Sequence, residues 1–293
     1  LKEKKIGGNI FKPILGDALD LNLLRKIFEK YQIEIIFHAA AYKHVPIVEQ
    51  NPIQGLLNNV LSTRNICSIA KNSNVKKVIL ISSDKAVRPK NIMGASKVVS
   101  ELIIRKLALE DKKTIYSLVR FGNVLNSSGS VVPLFKRQIK NGGPITLTHP
   151  EVVRYFMTIN EAAELVLHSS LMAKSGEIFI LDMGSPMKIK ELAEKMIKIS
   201  GLEIKDENNP NGDIEICTTG LREGEKLFEE LLVDGKALKT FHPRIFRSSE
   251  KTNIDTRLWE EIDSLEYYLK NYDLINTTHQ LKKIVKEWDN KSF

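Results

Sequence analysis

The stretch KKVILISSDKAVRPKNIMGASK, residues 76–97, decides how the fold is read. Residues 78–81 are apolar without alternation, the pattern of a strand buried on both faces of a parallel sheet. A polar turn, SSDK, follows at once, and a helical pattern then runs over residues 94–110. Strand, turn and helix in that order predict one unit of a doubly wound α/β fold. In such sheets ligands sit at the carboxyl ends of the strands, so the turn itself is a candidate site.

Outward from this stretch the rhythm repeats. FKPIL (residues 11–15) predicts a strand ending at Gly16 and Asp17, and a short helix follows over 22–30. EIIFHAAA (34–41) predicts a second strand, and Ile53, Leu56, Leu57 and Val60 recur at helical spacing within 52–70. TIYSLVRFGNV (114–124) predicts a further strand. The strand ends at 16–17, 38–41, 82–85 and 120–124 then fall on one edge of the sheet, which is the residue-level reason to expect a site there.

After residue 126 the pattern loosens. Loops at 126–133 and 141–150 flank a short helix, a helix follows over 160–172 and a strand over 177–184. Another helix from Ile189 stops at Gly201, EICTTGLREGEK leads into a predicted helix at 227–232, and two helices close the chain. The expected architecture is a doubly wound parallel sheet over residues 1–126 with a smaller lobe in 127–293, some of whose segments return to the sheet. Gly7 and Gly8 lack the G-x-G-x-x-G spacing and a preceding strand. The chain is therefore expected to start after the first strand and glycine-rich turn of a dinucleotide-binding sheet, and it begins with Leu where a complete protein has Met.

Composition narrows the function classes. The 44 Lys and Arg against 36 Asp and Glu give a formal charge of +8, yet they are scattered without interleaved aromatics, so nucleic acid is not expected as a partner. Cys67 and Cys217 lie far apart and suggest neither a disulfide framework nor a metal site, as expected of a cytoplasmic protein. No apolar run reaches the ~18 residues of a membrane span.

The motifs GDALD, HAAAYKHVPIVEQNP, LISSDKAVRPKNIMGASK, VRFGNVLNSSGSVVPLF, RYFMT and LREGEKLFEEL occur in one order over residues 15–232. Together they resemble the nucleotide-sugar 4,6-dehydratases of the extended short-chain dehydrogenase/reductase superfamily, above all the polysaccharide-biosynthesis branch acting on UDP-N-acetylglucosamine. The resemblance implies a Rossmann-like fold, NAD as cofactor, a UDP-sugar substrate and a homo-oligomer. It places the chain with the members that carry Met, here Met93, where others have a proton-moving Tyr. Those members are membrane-linked, so an anchor before residue 1 and a place at the cytoplasmic face of the inner membrane are expected.

In the chemistry the resemblance implies, C4 is oxidised by hydride transfer to NAD, which makes the C5 proton acidic. Asp84 protonates the C6 hydroxyl, Lys85 takes the C5 proton, and the hydride returns to C6. Burial would raise the Asp pKa and lower the Lys pKa as both roles require, although their mutual attraction opposes this. Bare of context, the same pair reads as a surface ion pair. Lys97, one helical turn after Met93, is assigned to the nicotinamide ribose, with Met93 packing on substrate or nicotinamide. With no Tyr, the C4 hydroxyl proton is expected to leave through Ser83 or a water toward Lys97.

Asp17 and Ala18 are assigned to the adenine, and Ala39, Ala40 and Ala41 leave the backbone open to cofactor. Lys43, Asn59, Ser82, Phe121 and Gly122 complete the expected cofactor contacts. Toward the sugar and its phosphates stand His44, Asn123, the turn of Ser128 and Ser130, and Glu225. Arg154 and Arg222 are the diphosphate candidates, because a guanidinium offers a fixed fork of donors. Relatives usually have Pro where this chain has Glu223. The competing readings are a sugar epimerase or reductase, which needs the missing Tyr, and a non-catalytic nucleotide-sugar-binding module.

Overall fold

The structure, a computed structural model, describes residues 4–6, 9–232, 236–250 and 254–288. Four strands run parallel at its centre, in the order Ile35–His38, Lys77–Ile81, Ile115–Arg120 and Ile178–Leu181. Ile245–Ser248 and then Ala237–Lys239 extend the sheet, each antiparallel to the strand before it.

The unalternating apolar runs follow from burial of both faces. Val78, Leu80, Tyr116, Leu118 and Ile178 enter one core, and Ile79, Val119, Phe179 and Leu181 enter the other. Ile92–Glu110, Leu258–Lys270 and Leu274–Ile284 close the first core. They are joined there by a continuous helical stretch made of Pro52–Leu56, a wide turn Leu57–Leu61 and Ser62–Lys71. Ile159–Met172 closes the second, its start fixed by reciprocal bonds between Thr158 and Glu161. Helices on both faces of a mostly parallel sheet make this a Rossmann-type doubly wound fold.

A third core lies beyond the carboxyl ends of the strands. Phe135 and Ile139 on Val131–Lys140, and Ala193 and Ile197 on Ile189–Ile199, pack there against Ile145, Leu147 and Ile214. The strand pairs Ile214–Thr218 with Ile145–Leu147 and Ile204–Lys205 complete this lobe.

Three expected elements differ. Residues 12–17 form no strand: Asn9–Phe11 pairs antiparallel with Lys4–Ile6 instead. Pro13 has no N–H to offer a ladder, and among the described residues nothing pairs with the outer side of Ile35–His38. The strand expected over 114–124 breaks at Phe121 and Gly122, and Asn123–Val124 pairs with Phe156–Met157 in a sheet of its own. Residues 227–232 form no helix, because Arg154 takes the carbonyls of Lys226 and Leu227 that a helix would need. Gly7 and Gly8 lie outside the described residues. No helix among the described residues is long and apolar enough to cross a membrane.

Candidate active site

Five chain segments converge at the carboxyl edge of the sheet and line a cleft of about 350 Å³. The strand Lys77–Ile81 ends there, and Ser83 caps a single tight turn, Asp84–Ala86, by accepting the Lys85 N–H at 3.2 Å. That turn drops the Asp84 carboxylate inward, 2% exposed, and swings Lys85 toward the cleft. The neighbouring strand turns off the sheet at Gly122, where a Cβ would come within 3.1 Å of Asp84 Oδ2. A side chain there would push the Asp84 carboxylate back by a few tenths of an ångström.

Asp84 Oδ1 accepts from Ser83 Oγ at 2.8 Å and from Lys85 Nζ at 3.0 Å. A second carboxylate, Glu229, places Oε1 3.3 Å from Lys85 Nζ. Burial alone would lower the Lys85 pKa. The attraction of Asp84 and Glu229, with the hydrogen bond to Asp84, outweighs it and holds the amine above its ordinary range. The expectation that burial prepares Lys85 as a base is therefore corrected: between two carboxylates the resting group is an ammonium.

Lys97 behaves oppositely. Its Nζ donates to the Ile81 carbonyl at 2.6 Å, and burial pulls its pKa down to about 8 against the opposing charge of Glu101. His38, at the end of the adjacent strand, is bonded through Nε2 to Thr63 Oγ1 and is lowered to about 3 by burial and by the charge of Lys97, so it stays neutral. Met93 lies one turn before Lys97 on the same helix, 4% exposed, and lines the cleft beside it.

The cleft gathers Ala39, Ala41, Lys43, His44, Ser83, Lys85, Met93, Lys97, Phe121, Gly122, Asn123 and Ser130. Partial burial lowers the Lys43 pKa. The Asn123 Oδ1 and Ser130 Oγ atoms are buried with no partner within the protein, as atoms awaiting a ligand's polar groups are. The turn at 127–130 is pressed onto His44, since a Cβ at Gly129 would meet the His44 ring at 2.3 Å.

Other expected residues are elsewhere or turned away. Ser82 lines the cleft but spends its hydroxyl on Glu101, which is itself paired with buried Arg120. Asn59 lies behind the wall. Its Oδ1 accepts from the Tyr42 N–H at 2.6 Å and its Nδ2 donates to the Tyr42 carbonyl at 3.0 Å, so it shapes the 39–43 segment from behind. Asp17 is exposed and closes a local turn by accepting from the Leu19 N–H, and the Ala18 carbonyl is taken by Asn65. Ala40 and Ser128 are exposed and off the cleft lining, where Ser127 takes the place expected of Ser128.

Arg154 is not an open fork for phosphate. It is buried, and its donors go to the carbonyls of Val153, Leu227 and Lys226. Glu225 braces the same loop through Thr148 and Arg154, and Arg222 is exposed away from the cleft. The residue missed from sequence is Glu229, whose side chain is 4% exposed beside Lys85. Its neighbour Glu230 is exposed and pairs with Arg88. Nothing local separates two adjacent acids in a predicted helix.

The residues present fit one half of a dinucleotide. Small side chains at Ala39 and Ala41 and the amine of Lys97 suit a nicotinamide riboside at the strand ends. The described residues include no glycine-rich turn to receive the pyrophosphate.

A family model described as polysaccharide biosynthesis protein matches residues 1–250. The chain is 44% identical over 262 residues to the capsular polysaccharide biosynthesis protein CapD of Staphylococcus aureus, covering 89% of this chain and 42% of CapD. A UDP-glucose 4-epimerase of Rickettsia massiliae is 39% identical over 75% of this chain and 62% of its own length. The chain thus spans less than two thirds of either relative. Among solved structures, Pen from Bacillus thuringiensis superposes with a TM-score of 0.72 at 35% identity, over 83% of this chain and 74% of Pen. The dTDP-glucose 4,6-dehydratase DesIV of Streptomyces venezuelae, solved with NAD bound, shares the fold at a TM-score of 0.65 and 21% identity, over 74% and 69% of the two chains.

Proposed function

The chain belongs to the polysaccharide biosynthesis protein family, and on that premise we propose that it is a nucleotide-sugar 4,6-dehydratase. The substrate is UDP-N-acetylglucosamine, the cofactor is NAD and the product is the 4-keto-6-deoxy sugar with loss of one water. The observation that carries this reading is the Asp84–Lys85 pair: an acid and an amine 3.0 Å apart at a strand end, in a cleft where the helix beside them offers Met93 and no phenol. Elimination across C5 and C6 needs its own acid and its own base, and the pair supplies both.

Ala39, Ala41 and Lys97 would hold NAD, which would supply the acceptor for the C4 hydride and its return to C6. Lys97 would hold the ribose hydroxyls, its amine oriented by its bond to the Ile81 carbonyl. Lys85 takes the C5 proton. Asp84 gives its proton to the C6 oxygen, which leaves as water, and Ser83 is hydrogen-bonded to Asp84, not to Lys97. A C4 hydroxyl proton passed to Ser83 therefore reaches Asp84, and the proton lost at C4 becomes the proton that departs with the water. This replaces the route toward Lys97 expected from sequence. Asn123 and Ser130 offer unpartnered polar atoms to the sugar.

Likeness to a UDP-glucose 4-epimerase supports a second reading, C4 epimerisation of a UDP-sugar. Incubating the full-length protein with UDP-N-acetylglucosamine in deuterated water separates the two. Deuterium at C5 with loss of water supports the dehydratase. A C4 epimer of unchanged mass supports the epimerase, and an unchanged sugar sinks both.

A further inference from the structure

Glu229 stands within 3.3 Å of Lys85 Nζ, and nothing in the reaction so far uses it. Lys85 must be a neutral amine when it meets the C5 proton, yet it sits between the carboxylates of Asp84 and Glu229. One of its neighbours must accept its proton. Asp84 is the donor to the C6 oxygen and already accepts from Ser83. Glu229 has no such duty, and its Oε2 is buried without a hydrogen-bond partner. We propose that Glu229 takes the proton from Lys85, turning Lys85 into the free amine that abstracts the C5 proton. This rests on the dehydratase reading.

The proton balance closes within the site. One proton moves from Lys85 Nζ to a Glu229 carboxylate oxygen, leaving a lone pair on nitrogen. The C5–H bond then breaks, its proton going to Nζ and its electron pair into the enolate of the C4 ketone. When C5 is reprotonated by Lys85 and the hydride has returned to C6, Glu229 gives the proton back to Nζ. No external acid or base is consumed.

The surroundings suit this exchange. Burial pushes the Glu229 carboxyl upward, while the charges of Lys85, Arg154 and Lys226 oppose it and that of Asp84 reinforces it. These are the charged groups that face the pair. The loop carrying Glu229 is pinned from three sides: Arg154 donates to the carbonyls of Lys226 and Leu227, Lys226 Nζ to that of Val87, and Asn91 Nδ2 to that of Gly224. A carboxylate fixed that firmly stays within reach of one amine.

A mere counter-ion makes the opposite prediction, because removing it lowers the Lys85 pKa and frees the base. The test is Glu229→Gln in the full-length protein loaded with NAD, with UDP-N-acetylglucosamine as probe and kcat and KM followed from pH 6 to 10. If the wild-type protein shows no C5 deuterium and no water loss, the dehydratase reading falls and this inference with it. With an active wild type, Glu229→Gln is expected to lose roughly 100-fold in kcat at pH 7. KM should stay within about threefold, and kcat should climb back with pH, about tenfold per unit, as Lys85 loses its proton to solvent instead. Glu229→Asp is expected to keep part of the neutral-pH rate, and it carries the test should the Gln variant fail to fold. A Gln variant as fast as wild type or faster at pH 7, a loss equal at every pH, or an Asp variant with no activity at all overturns the proposal.

Discussion

The Ser83 hydroxyl donates a hydrogen bond to Asp84 at 2.8 Å, and both sit at the turn that follows the Lys77–Ile81 strand. The bond makes Ser83 the only hydroxyl among the described residues that both lines the cleft and reaches the acid. Ser83→Ala is expected to lower kcat roughly 100-fold with KM little changed, and Ser83→Thr to keep most of the rate. The Ala variant also loses the cap on the Lys85 N–H, worth about 1 kcal/mol, which a thermal melt reads separately. An Ala variant with full kcat would remove Ser83 from the proton route.

Lys97 gives a titration with a definite sign. Its folded pKa is pulled down to about 8 from an unfolded 10.5 by burial. Between those values the unfolded chain binds more protons than the folded one, so this group's contribution to stability rises with pH from about 8 to 10.5 and is flat on either side. Nitrogen-detected NMR of the lysine amines should show one group titrating near pH 8 that disappears in Lys97→Met. The unfolding free energy of wild type relative to that variant should rise across the same window. Lysines that all titrate near 10.5 would contradict the burial of this amine.

Arg154 is expected to matter through the loop it holds. Its guanidinium is 7% exposed and binds three carbonyls, with Glu225 at 3.5 Å and Glu229 at 4.0 Å. Arg154→Met leaves those carbonyls without their donor and removes the cation beside Glu225, at a cost of about 1–3 kcal/mol. The urea midpoint should fall accordingly, and trypsin should cut at Lys226 under conditions where the wild-type loop resists. A variant with unchanged midpoint would show that the clamp does not form. Loss of phosphate affinity without loss of stability would return Arg154 to the role its sequence context suggests.

The sheet could be read from sequence because its strands are apolar on both faces, a pattern few other structures need. The edge that holds the site could be read because four strand ends share it. Local pattern failed where a neighbour from far along the chain decides. Residues 12–15 continue an apolar run that reads as a strand, but among the described residues no strand pairs with them, and only Phe11 is in a ladder, with Lys4. Residues 227–232 carry a helical pattern that Arg154 overrides by taking two carbonyls. At Lys85 burial and the opposing attraction of Asp84 are both visible in DK, but the second carboxylate that adds to that attraction, Glu229, comes from a loop far along the chain. Glu101, four residues after Lys97, shows the same limit, since only the fold reveals that it claims Ser82 and Arg120.

Met93 offers the sharpest test of which residues do the chemistry. It lies beside Lys97 in the cleft wall, 4% exposed, and on the proposed dehydratase reading it stands where a phenol would move the C4 proton. If Ser83 and Asp84 already carry that proton, a phenol at position 93 adds a second route to a step that has one. Met93→Tyr is then expected to form the same dehydrated product at a rate within about tenfold of wild type. Crowding at this buried position should cost about 1–3 kcal/mol of stability. Mass and proton NMR of the sugar product, with a denaturant titration beside them, check both parts. A rise of ~100-fold in kcat would mean that the C4 proton limits the native protein and that the serine route is poor. A switch from water loss to C4 inversion would mean that the methionine, more than the Asp84–Lys85 pair, sets the reaction class.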